Sequence, residues 1–287
     1  MSTETPLEYH SRPDLLAWAD SQSAVLGETW FRELEHRKRQ EAVFHDSDRE
    51  SHRDERADST PNRRYYEAAA PVRAHMERWM QRTLPGKTFL DYACGNGLSS
   101  IAAGRAGASV VIGIDISEVS VRNARDNATA AGFGDISRFL QRDCEDTDLP
   151  ANAFDAALCN GMLHHLDLSR AFPELHRIMA PGGRILCMEA LAYNPVIQWY
   201  RDRTPELRTE WEKNHILSLR EVRMAEQWFH VEHVRYHLMA APLATLLPRP
   251  VRALGVQIGH AIDAVLTRTP LLQLWSWQFT FELVKPR

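Results

Sequence analysis

The chain has 287 residues, of which 44% are hydrophobic and 25% are charged, and this composition suits a globular protein large enough to bury one full core. A net charge of −4 argues against nucleic acid as a partner, because proteins that bind it usually carry a basic stripe. The four cysteines lack metal-type spacing, and no stretch offers the roughly 18 uninterrupted apolar residues of a membrane span. We therefore expect a cytoplasmic protein with free thiols.

The first 84 residues predict a helical extension, or cap, in front of a main domain at residues 85–287. The first part of this cap is polar, and the alternating charges of residues 46–58 indicate a solvated face or a link. Residues 62–84 place apolar side chains at helical spacing. This second part therefore predicts an amphipathic helix packed on a sheet.

A buried strand, a glycine turn and a helix then follow one another along the chain. The strand runs through Phe89–Tyr92 into a turn with Gly95 and Gly97, and a helix is predicted over residues 98–105. A second buried strand ends on Asp115, 20 residues after Gly95. In a nucleoside-binding βαβ unit the glycines let the backbone approach the ligand, the helix N-terminus receives an anion, and such an acid accepts the ribose hydroxyls.

Two residues of this motif distinguish between nucleosides. A dinucleotide fingerprint needs a third glycine where this chain has Ser100. Asp91 is not needed beside a pyrophosphate, but it suits a ligand with an ammonium group, and S-adenosylmethionine has an amine, a carboxylate, a ribose and a sulfonium. The run Asp-x-Ala-Cys-Gly-x-Gly, with Ile-Asp-Ile-Ser downstream, resembles motif I and the following acidic site of class I S-adenosylmethionine-dependent methyltransferases. Ala93 stands where that family usually has glycine.

Later elements agree with the resemblance. Strands are predicted over residues 137–143, 154–160 and 184–189, with a helix over residues 169–179 before a Pro-Gly-Gly turn. The order of strand, His-His-Leu, helix, Pro-Gly-Gly and strand is similar to the second half of a small-molecule methyltransferase of this class. The resemblance implies an α/β fold with a Rossmann-like doubly wound seven-stranded sheet whose last strand is antiparallel. A helical N-terminal cap and a helical insertion before the last strand complete it.

Two segments beyond the fifth strand concern the acceptor. Residues 190–214 are rich in Trp, Tyr and Arg and follow a strand end, where loops line the ligand crevice, so we expect them to select the substrate. After a helix at residues 219–227 and a strand at residues 229–238, residues 239–265 form an apolar stretch and a helix with one apolar face. That face has three interpretations: packing onto the domain, a lid or homodimer surface, or peripheral membrane contact with a lipid-like substrate. The last is supported by the flanking Arg249, Arg252 and Arg268.

The resemblance assigns roles to named residues. The methionine part of S-adenosyl-L-methionine is expected at Asp91 and the glycine turn, the ribose at Asp115, and the adenine at Asp143 and Cys144. The complete cofactor set is Asp91, Ala93, Gly95, Gly97, Asp115, Ile116, Asp143, Cys144 and Asn160. The substrate-side set is Tyr65, Tyr66, Tyr193, Tyr200 and Arg201, in which the tyrosine pair closes over the cofactor and an arginine fixes a carboxylate or phosphate or is merely solvated. No metal is expected, because His45 and His52 are loosely spaced.

Methyl transfer is an in-line displacement, so most of the catalysis comes from holding the two reactants close together in a site closed to water. A base is needed where the acceptor must lose a proton. The candidates are His164 and His165 after the fourth strand, Glu189 at the end of the fifth, and Tyr193. In an alternative interpretation, the histidines only shape the turn.

The sequence thus predicts an enzyme that methylates an oxygen, nitrogen or sulfur atom of a small-molecule metabolite. Three alternatives stay open: a methyltransferase acting on a lipid or quinone at the membrane surface, an enzyme that uses another carbon or the amine of the cofactor, and a non-catalytic S-adenosylmethionine-binding protein. An RNA methyltransferase is disfavoured by the charge and by Asn160-Gly161-Met162-Leu163, which stand where an Asn-Pro-Pro-Tyr-type motif would be expected.

Overall fold

The computed structural model describes residues 14–51, 68–204 and 209–287, and for residues 48–51 only the backbone. Tyr65 and Tyr66, which were expected over the cofactor, lie outside the described residues. The strands are β1 (Thr88–Tyr92), β2 (Val110–Asp115), β3 (Ser137–Gln141), β4 (Phe154–Asn160), β5 (Met179–Ala190), β6 (His230–His237) and β7 (Gln278–Val284). The helices are α1 (Leu15–Asp20), α2 (Gly27–Glu33), α3 (His36–Ser51), α4 (Ala70–Thr83), α5 (Leu98–Arg105), α6 (Glu118–Ala130), α7 (Leu168–Ile178), α8 (Pro195–Arg203), α9 (Glu210–Asn214), α10 (Leu219–Ala225), α11 (Ala241–Ala244) and α12 (Arg249–Leu266).

The strands form one sheet in the order β3-β2-β1-β4-β5-β7-β6. The pairs among the first five strands are parallel, and β7 runs antiparallel to both of its neighbours. This confirms the predicted Rossmann-like doubly wound seven-stranded sheet, with helices α11 and α12 inserted before the antiparallel last strand. The strand order reverses between β1 and β4, and ligands of such sheets bind at that point, outside the carboxyl ends of the strands.

The central strands are buried on both faces, because helices cover each side of a parallel sheet. Phe89 and Leu90 are neighbours in β1 and both are fully buried, which explains why this strand is a continuous apolar run. Helix α4 packs Trp79 into the same cluster as Phe89. The amphipathic helix predicted within residues 62–84 is therefore confirmed over its described part.

The observed bounds differ from the predicted ones mainly at β3 and β5. β3 ends at Gln141 rather than Asp143, because Asp143 already belongs to a tight turn that bridges back to Asp146. β5 begins at Met179, well before the predicted start, because Met179 pairs with Phe154 ahead of a register shift. Neither difference moves the strand ends that carry the predicted site.

The N-terminal helices lie against the sheet domain. Leu15 of α1 is buried in the main hydrophobic core. Asp46 of α3 accepts a hydrogen bond of 2.5 Å from the hydroxyl of Ser117, the residue that caps α6. The solvated face predicted for residues 46–58 is therefore wrong at Asp46. The boundary between cap and domain at residue 84 stays a prediction.

Helix α12 turns its apolar face to solvent. Five of its aliphatic residues lie on one side of the helix and are 44% to 66% exposed: Val251, Leu254, Ile258, Ile262 and Val265. Among the described residues, nothing of the domain covers this face, so the interpretation that it packs onto the domain is wrong there. Within the same part of the chain, no helix has the length and apolarity needed to cross a membrane.

Position 97 requires glycine because of its backbone conformation and because of a close neighbour in α6. Its φ is 76°, and a Cβ there would lie 2.9 Å from the Cβ of Ala124 in α6. We expect Gly97→Ala to lower the free energy of unfolding by about 2–4 kcal/mol. The alanine Cβ would strain the left-handed backbone and would also crowd Ala124, and these two costs add. Gly132→Ala is the matched control: φ is 83° with open space around it, so only about 1 kcal/mol should be lost. Equal losses in urea unfolding would contradict the packing role of Gly97.

Candidate active site

Two cavities open at the carboxyl ends of the parallel strands and meet at the loop that follows β4. The first, called the loop cavity, has a volume of about 140 Å³. The second, called the apolar cavity, has a volume of about 570 Å³. Asn160 and Gly161 line both, so the two cavities adjoin at this short stretch of chain.

The loop cavity is enclosed by the loops after β1 to β4 on one side and by α3 on the other. Most of the predicted cofactor residues line it: Ala93, Gly95, Asp115, Ile116, Asp143, Cys144 and Asn160. Two others do not, because Gly97 packs on α6 and Asp91 is buried at the end of β1. Helix α3 contributes residues that the sequence analysis missed: Arg37, Lys38, Glu41 and His45.

Asp115 ties the first two loops together. Its Oδ2 accepts the backbone N–H of Gly95 and its Oδ1 accepts that of Ser117, both at 2.9 Å. The side chain is thereby fixed at the cavity wall, and each carboxylate oxygen keeps a lone pair for a further donor. This arrangement fits a ligand with neighbouring hydroxyl groups.

Ala93 has a left-handed backbone, with φ at 60°. Glycine is favoured in this conformation by about 1 kcal/mol or more, because it has no Cβ to crowd the following carbonyl. This is the physical reason why similar motifs carry glycine here. The alanine methyl is small enough for Ala93 still to line the loop cavity.

Asp91 is a buried acid that accepts a 2.6 Å hydrogen bond from the hydroxyl of Ser100 and a further one from the backbone of the same residue. Burial raises its pKa to about 7, the Ser100 hydrogen bonds oppose that change, and the nearby Asp115 adds to it. Ser100 replaces the third glycine of a dinucleotide motif, so here that position supplies a donor to the acid. A cation bound close to Asp91 would favour its ionised form.

Lys38 links the cap to the side of the loop cavity formed by Asp143 and Glu145. Its Nζ donates to Asp143 Oδ2 at 2.6 Å and lies 2.9 Å from Glu145 Oε2, and all three residues are buried. Burial lowers the pKa of Lys38, but the hydrogen bonds to Asp143 and Glu145 outweigh this and raise it. Asp143 Oδ1 also accepts the N–H of Glu145 at 2.9 Å. A ligand contacting Asp143 would therefore join a carboxylate that is already held in place.

His164 and Glu189 form a hydrogen-bonded pair where the two cavities meet. Glu189 is fully buried, and its Oε2 lies 2.7 Å from His164 Nδ1. Its Oε1 accepts the backbone N–H groups of Met162 and Leu163 at 2.8 and 2.6 Å. Because a carboxylate only accepts, Nδ1 of His164 carries the proton and Nε2 is left as the acceptor. His164 lines the apolar cavity, where its Nε2 lies 3.9 Å from Glu212 Oε1.

His165 faces the loop cavity instead. Its Nδ1 lies 3.0 Å from Glu41 Oε2, so the histidine pair is divided between the two cavities. Burial lowers the pKa of His165, but the Glu41 carboxylate outweighs this and raises it. The ligand atoms of Glu41, His45 and His165 lie within 4.8 Å of one another, as do those of His164, His165 and Glu212. Such groups can hold a metal, and the expectation of no metal stays a prediction.

The apolar cavity contains part of the predicted substrate set. Tyr200 and Arg201 line it, and Arg201 is paired with Glu212 at 3.3 Å. Tyr193 does not line it: its hydroxyl accepts the N–H of Leu219, and the ring is 41% exposed. Apolar residues that the sequence analysis did not single out as site residues complete the wall: Met188, Val196, Ile197, Trp199, Pro242, Leu243, Leu246 and Trp277.

Comparisons with known sequences place the similarity in the centre of the chain. Residues 90–187 match the family model described as "Methyltransferase domain". A ribosomal protein L11 methyltransferase from Photobacterium profundum is 37% identical over 109 residues, which is 37% of this chain and 35% of that protein. A demethylmenaquinone methyltransferase from Symbiobacterium thermophilum is 33% identical over 109 residues, which is 37% of this chain and 43% of that protein. The chain thus spans less than half the length of these curated relatives.

A similarity in fold extends over most of the chain. The crystal structure of geranyl diphosphate C-methyltransferase from Streptomyces coelicolor A3(2), in complex with Mg²⁺, geranyl diphosphate and S-adenosyl-L-homocysteine, superposes with a TM-score of 0.60. The match covers 88% of this chain and 98% of the other at 16% sequence identity. At 16% sequence identity, the match establishes the fold and carries no conclusion about function.

The buried carboxyl group of Asp91 predicts a pH dependence of stability. Its pKa rises from 3.8 to about 7 in the folded protein, so the folded state binds more protons than the unfolded state between these values. Asp91 should therefore reduce stability as pH rises, by up to about 1.4 kcal/mol per pH unit. Asp91→Asn removes this loss, so its free energy of unfolding should exceed that of the wild type at pH 8 but not at pH 4.

Urea unfolding across this pH range checks the expectation. Asp135→Asn is the control, since Asp135 is exposed and the change there should leave the pH dependence as it is. A constant difference between Asp91→Asn and wild type at all pH values would contradict the raised pKa.

Proposed function

We propose, for a chain that carries a class I S-adenosylmethionine-dependent methyltransferase domain, that the loop cavity binds S-adenosyl-L-methionine and the apolar cavity binds a small-molecule acceptor. The observation that carries the proposal is the junction of the two cavities at Asn160 and Gly161. A direct displacement requires that the acceptor atom, the methyl carbon and the departing sulfur lie in one line. Two cavities that share one short stretch of wall meet this requirement.

The residues present fit the cofactor. Asp115 presents oxygens to which ribose hydroxyls can donate, and the turn at Gly95 brings backbone close to the same cavity. Asp91 is a buried carboxyl group that a nearby ammonium group would ionise. Cys144 is held at the cavity wall because the hydroxyl of Tyr92 donates to its carbonyl oxygen. Its backbone N–H is the proposed adenine contact.

The relatives support this assignment in what their names record. The curated relatives are named as methyltransferases of a ribosomal protein and of a menaquinone precursor. The geranyl diphosphate C-methyltransferase was crystallised with S-adenosyl-L-homocysteine, which is the cofactor after loss of its methyl group. A small-molecule acceptor is favoured for this chain because a cavity of about 570 Å³ lies within the usual size range of small-ligand pockets.

The chain's own residues supply orientation and a proton acceptor. Bound S-adenosyl-L-methionine supplies an electrophilic methyl carbon. His164 Nε2 faces the acceptor side, and Glu189 fixes the ring by accepting a 2.7 Å hydrogen bond from Nδ1–H. If the acceptor carries an O–H, N–H or S–H, Nε2 would accept its proton while the methyl group passes from sulfur to the acceptor, and the electron pair of the broken carbon–sulfur bond would stay on sulfur. Glu189 and Glu212 then stabilise the imidazolium that forms.

Glu189 acts as a positioning residue in this scheme. Its two oxygens already accept three hydrogen bonds, and the side chain is fully buried. It therefore has no access to an acceptor, although the sequence alone placed it among the candidate bases. Tyr193 is set aside for a similar reason, because its hydroxyl is engaged by Leu219 outside the apolar cavity.

The ribose assignment is tested by calorimetric titration with S-adenosyl-L-methionine. Asp115→Asn loses the charge and one acceptor oxygen, so we expect affinity to fall about a hundredfold. Asp135→Asn, with the same change at an exposed position, should bind like the wild type. Unchanged affinity in a folded Asp115→Asn protein would overturn the assignment of Asp115.

The base assignment is tested by transfer of labelled methyl groups from S-adenosyl-L-methionine into a metabolite extract. His164→Gln should reduce the rate about a hundredfold or more, with cofactor affinity preserved. His230→Gln changes an exposed histidine outside both cavities and should transfer normally. Normal transfer by His164→Gln would remove this residue from the chemistry.

A further inference from the structure

We propose that the exposed apolar face of α11 and α12 docks on an anionic lipid bilayer and that the acceptor reaches the apolar cavity from that bilayer. The second part rests on the function proposed above. The first part concerns a surface of the protein and stands independently of the cofactor.

The amphipathic character of α12 is inverted relative to a helix that packs on a core. The side facing α11 and the domain carries mostly small or polar residues, Gly255, Gly259 and Asp263, and one aliphatic residue, Val256, which packs against a core cluster. Gly259 lies so close to Ala241 that a Cβ would meet its Cα at 2.5 Å. The opposite side carries the five exposed aliphatic residues named above. Contiguous exposed apolar surface of this kind marks an interaction site.

Asp263 holds this arrangement in place. Its Oδ1 accepts the backbone N–H groups of Met239 and Ala240 at 3.0 and 2.6 Å, and its Oδ2 accepts that of Ala241 at 3.2 Å. The acid thus caps the start of α11 from beneath α12. Because the inward face of α12 makes this contact, the aliphatic side of the helix faces outward.

The exposed face continues into the apolar cavity. Leu243 and Leu246 of α11 are 57% and 56% exposed and also line the cavity. Trp199 of α8 is 56% exposed and lines the cavity as well. An acceptor dissolved in an apolar phase against this face would therefore enter without crossing a polar surface. Tryptophan at such a rim is typical of membrane interfaces.

The charges around this face favour anionic lipid. Between residues 239 and 276 the chain has three arginines, Arg249, Arg252 and Arg268, and one acid, Asp263. Because Asp263 is buried and hydrogen-bonded, the exposed charge of this segment is positive in a chain whose net charge is −4. Basic residues beside an apolar helix face bind anionic headgroups. A second copy of the chain is less suited, since a two-fold interface would bring the same arginines together.

Flotation with vesicles tests the docking surface. Wild type should float with phosphatidylcholine vesicles containing about 30% phosphatidylglycerol, and less with phosphatidylcholine alone. The double variant Leu254→Ser/Ile258→Ser should bind about tenfold or more weakly, because it removes two inserted side chains. Gln257→Ser, at an exposed position of the same helix, is the matched control and should float like wild type. Arg249→Gln/Arg268→Gln should lose the preference for anionic vesicles.

Two results would overturn the docking proposal. The first is that the wild type stays at the bottom of the gradient. This result includes the case in which sedimentation shows that the wild type is a dimer and that Leu254→Ser/Ile258→Ser dissociates it. The other is a double variant that floats as well as wild type. Neither depends on the cofactor, so a failure of flotation with intact S-adenosyl-L-methionine binding rejects only this proposal. Flotation without cofactor binding rejects the proposed function instead.

The source of the acceptor is tested with methyl-labelled S-adenosyl-L-methionine. Vesicles prepared from a total lipid extract are compared with the aqueous metabolites of the same cells. We expect label in the organic phase, and Leu254→Ser/Ile258→Ser should reduce it while cofactor affinity stays unchanged. Label confined to aqueous products would overturn the bilayer as the source of the acceptor.

Discussion

The buried carboxylate of Glu189, at the end of β5, holds the loop on which the rest of the site depends. It accepts two backbone N–H groups from residues 162 and 163 and the Nδ1 proton of His164. These bonds fix the turn at Leu163–His165, which follows β4, and one histidine of this turn lines each cavity. Because a buried carboxylate without partners is costly, the turn and the acid stabilise each other. The junction at Asn160 and Gly161 therefore has one defined shape.

The N-terminal cap completes the loop cavity. Lys38 and Arg37 from α3 pair with Asp143 and Glu145, and Glu41 from the same helix pairs with His165. Both contacts are buried, so separating α3 from the domain would leave unpaired charges on both sides. Thr209, which follows the described end of α8, also donates to Glu41. One set of polar contacts thus joins the cap, the loop after β4 and the insertion that was expected to select the substrate.

The fold was predictable because its signals are local. Continuous apolar strands, a glycine turn and an acid at the end of β2 each depend on neighbouring residues, and the resemblance of this run to the methyltransferase family implied the seven-stranded sheet. Seven of the nine predicted cofactor residues line one cavity for the same reason. The contribution of α3 was not predictable, since Lys38 and Glu41 lie in a charged stretch and their partners are more than a hundred residues away. The outward direction of the apolar face of α12 could not be predicted either, because periodicity shows that a helix has an apolar side but not where that side points.

A crystal structure with bound S-adenosyl-L-homocysteine tests the central claim most directly. The account predicts its ribose hydroxyls on Asp115 and its sulfur at the junction formed by Asn160 and Gly161, facing the apolar cavity beside His164. A nucleoside bound outside the loop cavity, or a sulfur directed away from that junction, would contradict it.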